Sequence, residues 1–281
     1  MKQLKTSLII LLILLVAFQV VINRRINEKS ENVPVINSDN DEIQITCEYK
    51  EEDLLQGLSA YDVEEGDITD NILIGSFSDF TERGVSSLEY AVYDKDGNTA
   101  TFNRKVVFKD YVPPRIKILE PFVFESTDSP YNTPTLYIEG WDKLDGDITK
   151  HLLITSADID FSKPGKYFAS VYLKNSFGDE VNMDLPIHIL DPGQKGYTIE
   201  LKEPLIYVDK GDPVDPENYV DAIRNEYTGE IVPDEEYILT INSGVDTSED
   251  GIYEIQYSVI SSNEEQFGET WMTVIVGDYG E

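Results

Sequence analysis

The chain has 281 residues and a formal net charge of −32, with 54 Asp and Glu against 22 Lys and Arg. Nucleic-acid and anionic-lipid binding both depend on clustered Lys and Arg, so this charge excludes a nucleic-acid partner and disfavours lipid headgroups. Hydrophobic residues make up 41% of the chain, which excludes a disordered acidic tail, and the single cysteine, Cys47, excludes an intramolecular disulfide.

The first predicted element is an export segment at the N-terminus. Residues 8–18 are uniformly apolar, and Lys2 and Lys5 precede them, which is typical of a secretion signal. The small residues that signal peptidase requires are missing after the apolar run. We therefore expect residues 1–25 to persist as a signal anchor and transmembrane helix, followed by a linker at 26–32. The protein is then a single-pass protein of the cell membrane with its C-terminal modules outside; cleavage would make it a secreted protein.

The rest of the chain contains a repeated unit. Gly66-Asp67-Ile68-Thr69 recurs at residues 146–149, and a weaker copy occurs at 229–232. A fixed period of this length predicts tandem copies of one domain. The predicted modules cover residues 33–110, residues 111–191 and, in divergent form, residues 195–281.

Within these modules the hydrophobic period is two. Leu88, Tyr90 and Val92 alternate with Glu89 and Ala91, and similar alternation occurs at residues 167–173 and 255–259. Alternation of this kind predicts strands with one buried face, and residues 94–98 are typical of a tight hairpin turn. The predicted fold class is all-β, with three tandem immunoglobulin-like β-sandwich modules after one N-terminal transmembrane helix.

Three segments of the first module carry a family resemblance. Residues 60–69, 90–100 and 106–114, read in this order, resemble the bacterial Ig-like repeat family, which occurs in many surface proteins and in a pesticidal crystal protein. The second module keeps the first motif at 142–149, whereas the third has lost most of both motifs. The resemblance implies an Ig-like sandwich and a role in adhesion or binding at a cell surface.

Acidic residues cluster in the predicted turns. Calcium is bound in proteins by about six to eight oxygen ligands, which Asp, Glu and Asn side chains supply. Equally, Asp and Asn in turns often accept backbone amides, and this alternative requires no metal. Calcium is the only cofactor that the sequence indicates. The candidate ligands are Asp62, Glu64, Asp67, Asp94, Asp96, Asn98, Asp142, Asp145 and Asp147.

The sequence contains no pattern of catalytic residues. His151 and His188 fall in different modules, neither lies near a Ser or Cys motif, and Cys47 has no basic neighbour. Trp141 occupies the position that Tyr61 holds in the first module, and we expect it to serve in packing. The alternative is a carbohydrate-binding platform formed by Trp141, Trp271 and the tyrosines.

The predicted function is therefore that of a non-enzymatic surface spacer or adhesion module. Its partners are protein or carbohydrate at the cell surface, together with the membrane through the N-terminal helix. The alternative is an accessory subunit of a bacterial envelope machine that acts in secretion or polysaccharide assembly.

Overall fold

The computed structural model describes residues 12–23, 33–126, 137–191 and 196–277. The chain divides into two compact units, Met1–Asp110 and Tyr111–Glu281. A helix, α1, covers residues 12–23 and is exposed along its length. In the described ranges no helix combines the length and the apolar character needed to cross a membrane. The remaining residues of the predicted anchor and the whole predicted linker lie outside the described residues, so the anchor stays a prediction.

The first unit contains two sheets in its described part. Their strand orders are β1-β3-β4 and β2-β7-β6-β5, and all neighbours are antiparallel except β2 and β7, which are parallel. A short helix, α2, connects the second and third strands. The elements are β1 (Val35–Ser38), β2 (Glu42–Ile45), α2 (Glu51–Leu55), β3 (Leu58–Asp62), β4 (Gly66–Asp67), β5 (Leu73–Phe77), β6 (Val85–Tyr93) and β7 (Thr99–Phe108).

The core of the first unit lies between these two sheets. Leu88, Tyr90 and Val92 of β6 are fully buried, which confirms the predicted period of two. From the other sheet, Ile36 and Ala60 are buried as well. Because successive residues of a strand point to opposite faces, each sheet contributes one apolar face to the core.

Arg104 and Tyr90 place polar atoms in this core. Arg104 is 2% exposed; its Nε donates to the carbonyl oxygen of Asn40 at 2.9 Å and its Nη1 to that of Gln56 at 2.7 Å. The Tyr90 hydroxyl donates to the carbonyl oxygen of Leu54 at 2.7 Å, and burial raises the pKa of Tyr90. Two of the acceptors, Leu54 and Gln56, lie at the end of α2, and the third, Asn40, lies in the loop between β1 and β2. The hydrogen bonds therefore attach both segments to the core.

The second unit contains four sheets in its described part. Their orders are β11-β10-β8, β12-β13-β14-β9, β15-β17 and β16-β20-β19-β18. The first two form the earlier sheet pair and the last two the later sheet pair. The strands are β8 (Arg115–Ile118), β9 (Val123–Glu125), β10 (Ile138–Asp142), β11 (Gly146–Asp147), β12 (Leu153–Ala157), β13 (Gly165–Lys174), β14 (Glu180–Leu190), β15 (Tyr197–Leu201), β16 (Leu205–Val208), β17 (Val220–Asn225), β18 (Tyr237–Ser243), β19 (Gly251–Ser261) and β20 (Phe267–Val276).

One pattern of strand pairing recurs three times along the chain. Each copy has a long antiparallel hairpin, formed by β6 and β7, by β13 and β14, and by β19 and β20. A short strand, β2, β9 or β16, runs parallel to the second strand of each hairpin. The other side of each hairpin pairs with β5, β12 or β18; the register of β5 and β12 is interrupted, whereas β18 pairs without interruption.

Apolar side chains join the two sheet pairs of the second unit. Leu205 and Ile275 of the later pair belong to the same buried cluster as the core of the earlier pair. The Tyr207 hydroxyl accepts the Ile116 N–H at 2.8 Å, and the Arg115 guanidinium lies 4.7 Å from the centre of the Tyr207 ring. Burial raises the pKa of Tyr207 to about 12. The two sheet pairs therefore share part of one core.

The all-β prediction is confirmed: the helical elements of the described ranges are α1, α2 and short 3-10 turns, and the other regular elements are strands. The packing role expected for Trp141 is wrong. Trp141 is 45% exposed and Tyr61 is 55% exposed. Both side chains point outward from strands whose alternate residues, Gly140 and Asp142 in the case of β10, are buried.

Candidate functional site in the acidic turns

The first acidic turn follows β3 and covers residues 62–65. Asp62 is 2% exposed, and its Oδ1 accepts the backbone N–H groups of Glu64 and Glu65, both at 2.9 Å. Gly66 then has a φ of 84°, a left-handed conformation that favours glycine. These features form an Asx turn that returns the chain into β4, as the alternative reading of the acidic residues predicts.

The Gly-Asp-Ile-Thr motif fixes the chain just after this turn. Asp67 Oδ1 accepts the backbone N–H of Thr69 at 3.0 Å and its hydroxyl at 2.6 Å. These two bonds lower the pKa of Asp67. Thr69 Oγ1 in turn accepts the N–H of Ala60 at 3.0 Å. Asp147 and Thr149 repeat the bond between backbone N–H and carboxylate at 2.9 Å. The repeated motif thus has a structural role that needs no metal.

The second acidic turn, residues 94–98, connects β6 and β7. Asp94 Oδ1 accepts the N–H groups of Asp96 at 2.9 Å and Asn98 at 2.7 Å, and its Oδ2 accepts the Asn98 side-chain amide at 2.6 Å. Burial raises the pKa of Asp94, but the hydrogen bonds from Asn98, Asp96 and Gly97 outweigh this effect and leave the pKa lowered. The hairpin predicted here is present.

The first and second turns are bonded to each other, and we call them the paired turns. Glu65 Oε1 accepts the N–H of Lys95 at 2.6 Å, and Lys95 Nζ lies 3.0 Å from Glu64 Oε2. This ion pair is half exposed and raises the pKa of Lys95. The structure therefore brings Asp62 and Asp94, which are far apart in sequence, into neighbouring turns.

The earlier sheet pair of the second unit repeats the paired turns. Asp142 is fully buried, and its Oδ1 accepts the N–H groups of Leu144 and Asp145 at 2.8 and 3.0 Å. The second turn begins at Asn175, whose Nδ2 donates to Asp142 Oδ2 at 3.1 Å and to Tyr111 Oη at 2.9 Å. Asn175 takes the place of Asp94, so a neutral amide replaces a carboxylate.

The later sheet pair contains a third version without carboxylates at these two positions. Asn225 Oδ1 accepts the N–H groups of Tyr227 and Thr228 at 3.0 and 3.1 Å. The second turn begins at Ser261, and Asn225 Nδ2 donates to Gln266 Oε1 at 3.2 Å. The residue that begins the first turn is thus Asp, Asp and Asn in the three copies, and the residue that begins the facing turn is Asp, Asn and Ser.

Calcium binding stays a prediction for the nine candidate ligands. The structure places Asp62 and Asp94 in turns that are bonded to each other, whereas Asp147 bonds to Thr149 within its own turn. In the part of the chain that the structure describes, no three or more His, Cys, Asp or Glu side chains are grouped so that they could hold a metal ion. One buried side-chain oxygen there lacks a hydrogen-bond partner, and this is Asp62 Oδ2.

A second polar cluster joins the two sheet pairs of the second unit. His188 Nε2 lies 2.6 Å from Glu254 Oε1, and Lys166 Nζ donates to Glu254 Oε2. The His188 ring stacks on the Trp271 ring with 3.8 Å between centroids. Burial raises the pKa of Glu254, but its bonds with His188 and Lys166 outweigh burial and hold the pKa below its ordinary value. No local sequence signal identifies this cluster, since its members lie on β13, β14, β19 and β20.

Comparison with known proteins gives limited similarity in sequence. No family model matches the chain. The chain is similar to the pesticidal crystal protein Cry22Aa of Bacillus thuringiensis, with 26% identity over 139 residues, which cover 49% of this chain and 18% of that protein. The chain thus spans less than a fifth of this relative. The match agrees with the resemblance to a repeat family that occurs in a pesticidal crystal protein, and an identity of 26% over half of the chain assigns no family.

Similarity to solved structures is weaker still. Drosophila N-cadherin EC1-3 matches 72% of this chain and 80% of its own, at 12% identity and a TM-score of 0.29. The structure of CBM51-2 in complex with GlcNAc and INT domains from Clostridium perfringens ZmpB matches 88% of this chain and 45% of its own, at 14% identity and a TM-score of 0.23. TM-scores this low support no conclusion about function.

Proposed function

We propose that this chain is a non-enzymatic extracellular protein of three Ig-like sandwich modules, anchored by its N-terminal segment, which acts as a spacer or adhesion module at a bacterial surface. The observation that carries the proposal is the threefold recurrence of one strand pairing together with one pair of turns. Repeated β domains of this kind set the length of a protein, and they expose surface to which partners can bind.

The contact within the second unit supports a role as a spacer. The two sheet pairs share an apolar cluster, and Glu254 bonds to both His188 and Lys166 across the contact. A contact that includes buried apolar side chains resists bending more than a polar linker does. Neighbouring modules joined in this way would hold a binding surface at a fixed distance from the membrane.

The proposed arrangement has the anchor at residues 1–25 and the modules at 33–110, 111–191 and 195–281. The net charge of −32 suits a protein that stays soluble outside the cell and does not adhere to anionic lipid. The proposed partners are proteins or carbohydrates of the surface, and the exposed Trp141 and Tyr61 offer aromatic surface for such contacts.

Protease treatment of intact cells tests the location. The full chain, with an epitope tag at its C-terminus, is expressed in a bacterial host, and we expect the tag to fractionate with membranes and to be removed by external protease. Protection of the tag in intact cells would contradict the proposal. Chemical crosslinking in the same cells separates the alternative, because a single stoichiometric membrane partner would favour an accessory subunit, whereas binding to surface polymers would favour adhesion.

A further inference from the structure

Asp62 Oδ2 is an unusual atom in this structure. Asp62 is 2% exposed, its Oδ1 accepts two backbone amides, and Oδ2 is buried with no hydrogen-bond partner. A buried carboxylate oxygen is costly unless a donor or a cation compensates it, so native structures rarely leave one without such a partner.

The second copy of the paired turns shows where this oxygen points. Asp142 Oδ1 makes the same two backbone bonds as Asp62 Oδ1, and Asp142 Oδ2 accepts the Asn175 side-chain amide from the facing turn. The matching bonds of Asp62 direct its Oδ2 to the facing turn of the first unit. The residue at that position is Asp94, which has no hydrogen to donate when it is ionised.

The first unit therefore places two carboxylates where the second copy has a carboxylate and an amide, and the third has an amide and a hydroxyl. Asp94 accepts the side-chain amide of Asn98 and the backbone N–H groups of Asp96 and Asn98, and a set of donors alone suits a carboxylate. The lysine of these turns, Lys95, pairs with Glu64 at the surface. The charge of the facing carboxylates thus needs another source of compensation.

We propose that Asp62 and Asp94 bind a hard divalent cation, with Ca²⁺ as the extracellular candidate. The cation lies between Asp62 Oδ2 and the Asp94 carboxylate, which stands where the second copy has the Asn175 amide. Water completes the coordination. The choice of Ca²⁺ rests on the extracellular location that belongs to the proposed function. The site itself rests on geometry alone and is independent of that location.

The experiment compares the full chain, purified in detergent, with Asp94→Asn, which copies the Asp142 and Asn175 pair. Calorimetric titration with CaCl2 measures binding. Scanning calorimetry follows the melting of both units, and tryptophan fluorescence follows the second unit alone, since both tryptophans, Trp141 and Trp271, lie there. Asp79→Asn is the matched control. Asp79 is exposed and lies near the start of β6, whereas Asp94 follows the end of that strand. KCl at equal ionic strength controls for screening.

For the unchanged chain we expect one Ca²⁺ site with a Kd of about 10⁻⁴ to 10⁻³ M, and a first-unit transition several degrees higher in about 10 mM CaCl2. Asp79→Asn should behave in the same way. Asp94→Asn should lose the binding heat and the calcium-dependent shift, while melting in EDTA no lower than the unchanged chain.

Three results would overturn the proposal. The first is an unchanged chain that neither binds Ca²⁺ nor melts later in its presence. The second is retention of calcium binding by Asp94→Asn. The third is an equal calcium shift in the tryptophan transition of the second unit, since this would identify general screening of the acidic chain. If only Asp94→Asn raises the melting temperature, with no calcium binding by the unchanged chain, the two carboxylates hold no cation and the substitution merely relieves their repulsion. All of these results are independent of where the protein resides in the cell.

Discussion

Replacing Glu254 with Gln removes the charge at the contact between the two sheet pairs of the second unit while keeping the side chain's size. Glu254 bonds to His188 at 2.6 Å and to Lys166, and its side chain is 15% exposed. A hydrogen bond to a buried charged group contributes about 1.5–3 kcal/mol. Lys166 is 46% exposed, so solvent screening reduces its share to about 0–1 kcal/mol. Relief from burying the carboxylate opposes these losses, and we expect a net loss of about 1–2 kcal/mol.

The effect of this substitution depends on pH in a defined direction. The folded-state pKa of Glu254 lies below its ordinary value of 4.5, so the unfolded chain takes up the proton first as the pH falls. The stability that the carboxylate contributes is present above its ordinary pKa and is lost as the pH falls through the lowered folded-state value. The difference between the unchanged chain and Glu254→Gln should therefore shrink below pH 4.5.

Urea unfolding monitored by tryptophan fluorescence measures this difference, because Trp141 and Trp271 both report on the second unit. The urea midpoint and the slope of the transition are compared, and the absolute fluorescence is not. The reason is that Trp271 stacks on His188, so its emission can change when Glu254 is replaced. Glu249→Gln, at an exposed position near the start of the same strand, is the control for loss of one charge. Equal midpoints for the two variants at neutral pH, or a difference that persists undiminished at pH 3, would refute the reasoning.

Two further substitutions test the cores. Arg104→Met leaves the carbonyls of Asn40 and Gln56 without their donor, and we expect the free energy of unfolding of the first unit to fall by about 2–4 kcal/mol in scanning calorimetry. Gly268→Ala places a Cβ in overlap with the carbonyl oxygen of Tyr197, so the tryptophan-monitored stability of the second unit should fall by about 1–3 kcal/mol.

Each of these two substitutions has a matched control. Lys109→Met removes an exposed cation near the end of the first unit and should leave its melting unchanged. Gly244→Ala adds a Cβ with no atom within 4 Å, and it should leave the second unit as stable as before. Losses of similar size in a variant and its control would show that the buried contacts are not the cause.

The sequence predicts local features of this fold well and distant contacts poorly. Alternation at Leu88, Tyr90 and Val92 depends only on neighbouring residues, and the structure buries all three. The acidic turns are local as well. By contrast, His188 meets Glu254 across 66 residues, and no pattern near either residue indicates the other.

The candidate site shows the same limit. Asp62 and Asp94 are two of nine acidic or amide residues that the sequence selects without ranking them. Their distinction depends on burial, on the bonds between the paired turns and on the orphaned Oδ2, which become known only once the strands are placed. The packing prediction for Trp141 fails for a related reason. Alternation along a strand does not say which of its two faces is buried, and here the buried face is that of Gly140 and Asp142.

The unbroken register of β18 leaves one outer strand of its sheet regular enough to pair with a strand of another molecule. β5 and β12, the corresponding outer strands, contain irregularities that bend an open edge and hinder the addition of another strand. β18 contains no charged residue, and Ile238 on it is 60% exposed. Three carboxylates, Asp234, Glu235 and Glu236, directly precede it. Charges that flank such a strand oppose self-association, so the protection of this edge is electrostatic and weakens as salt screens those charges.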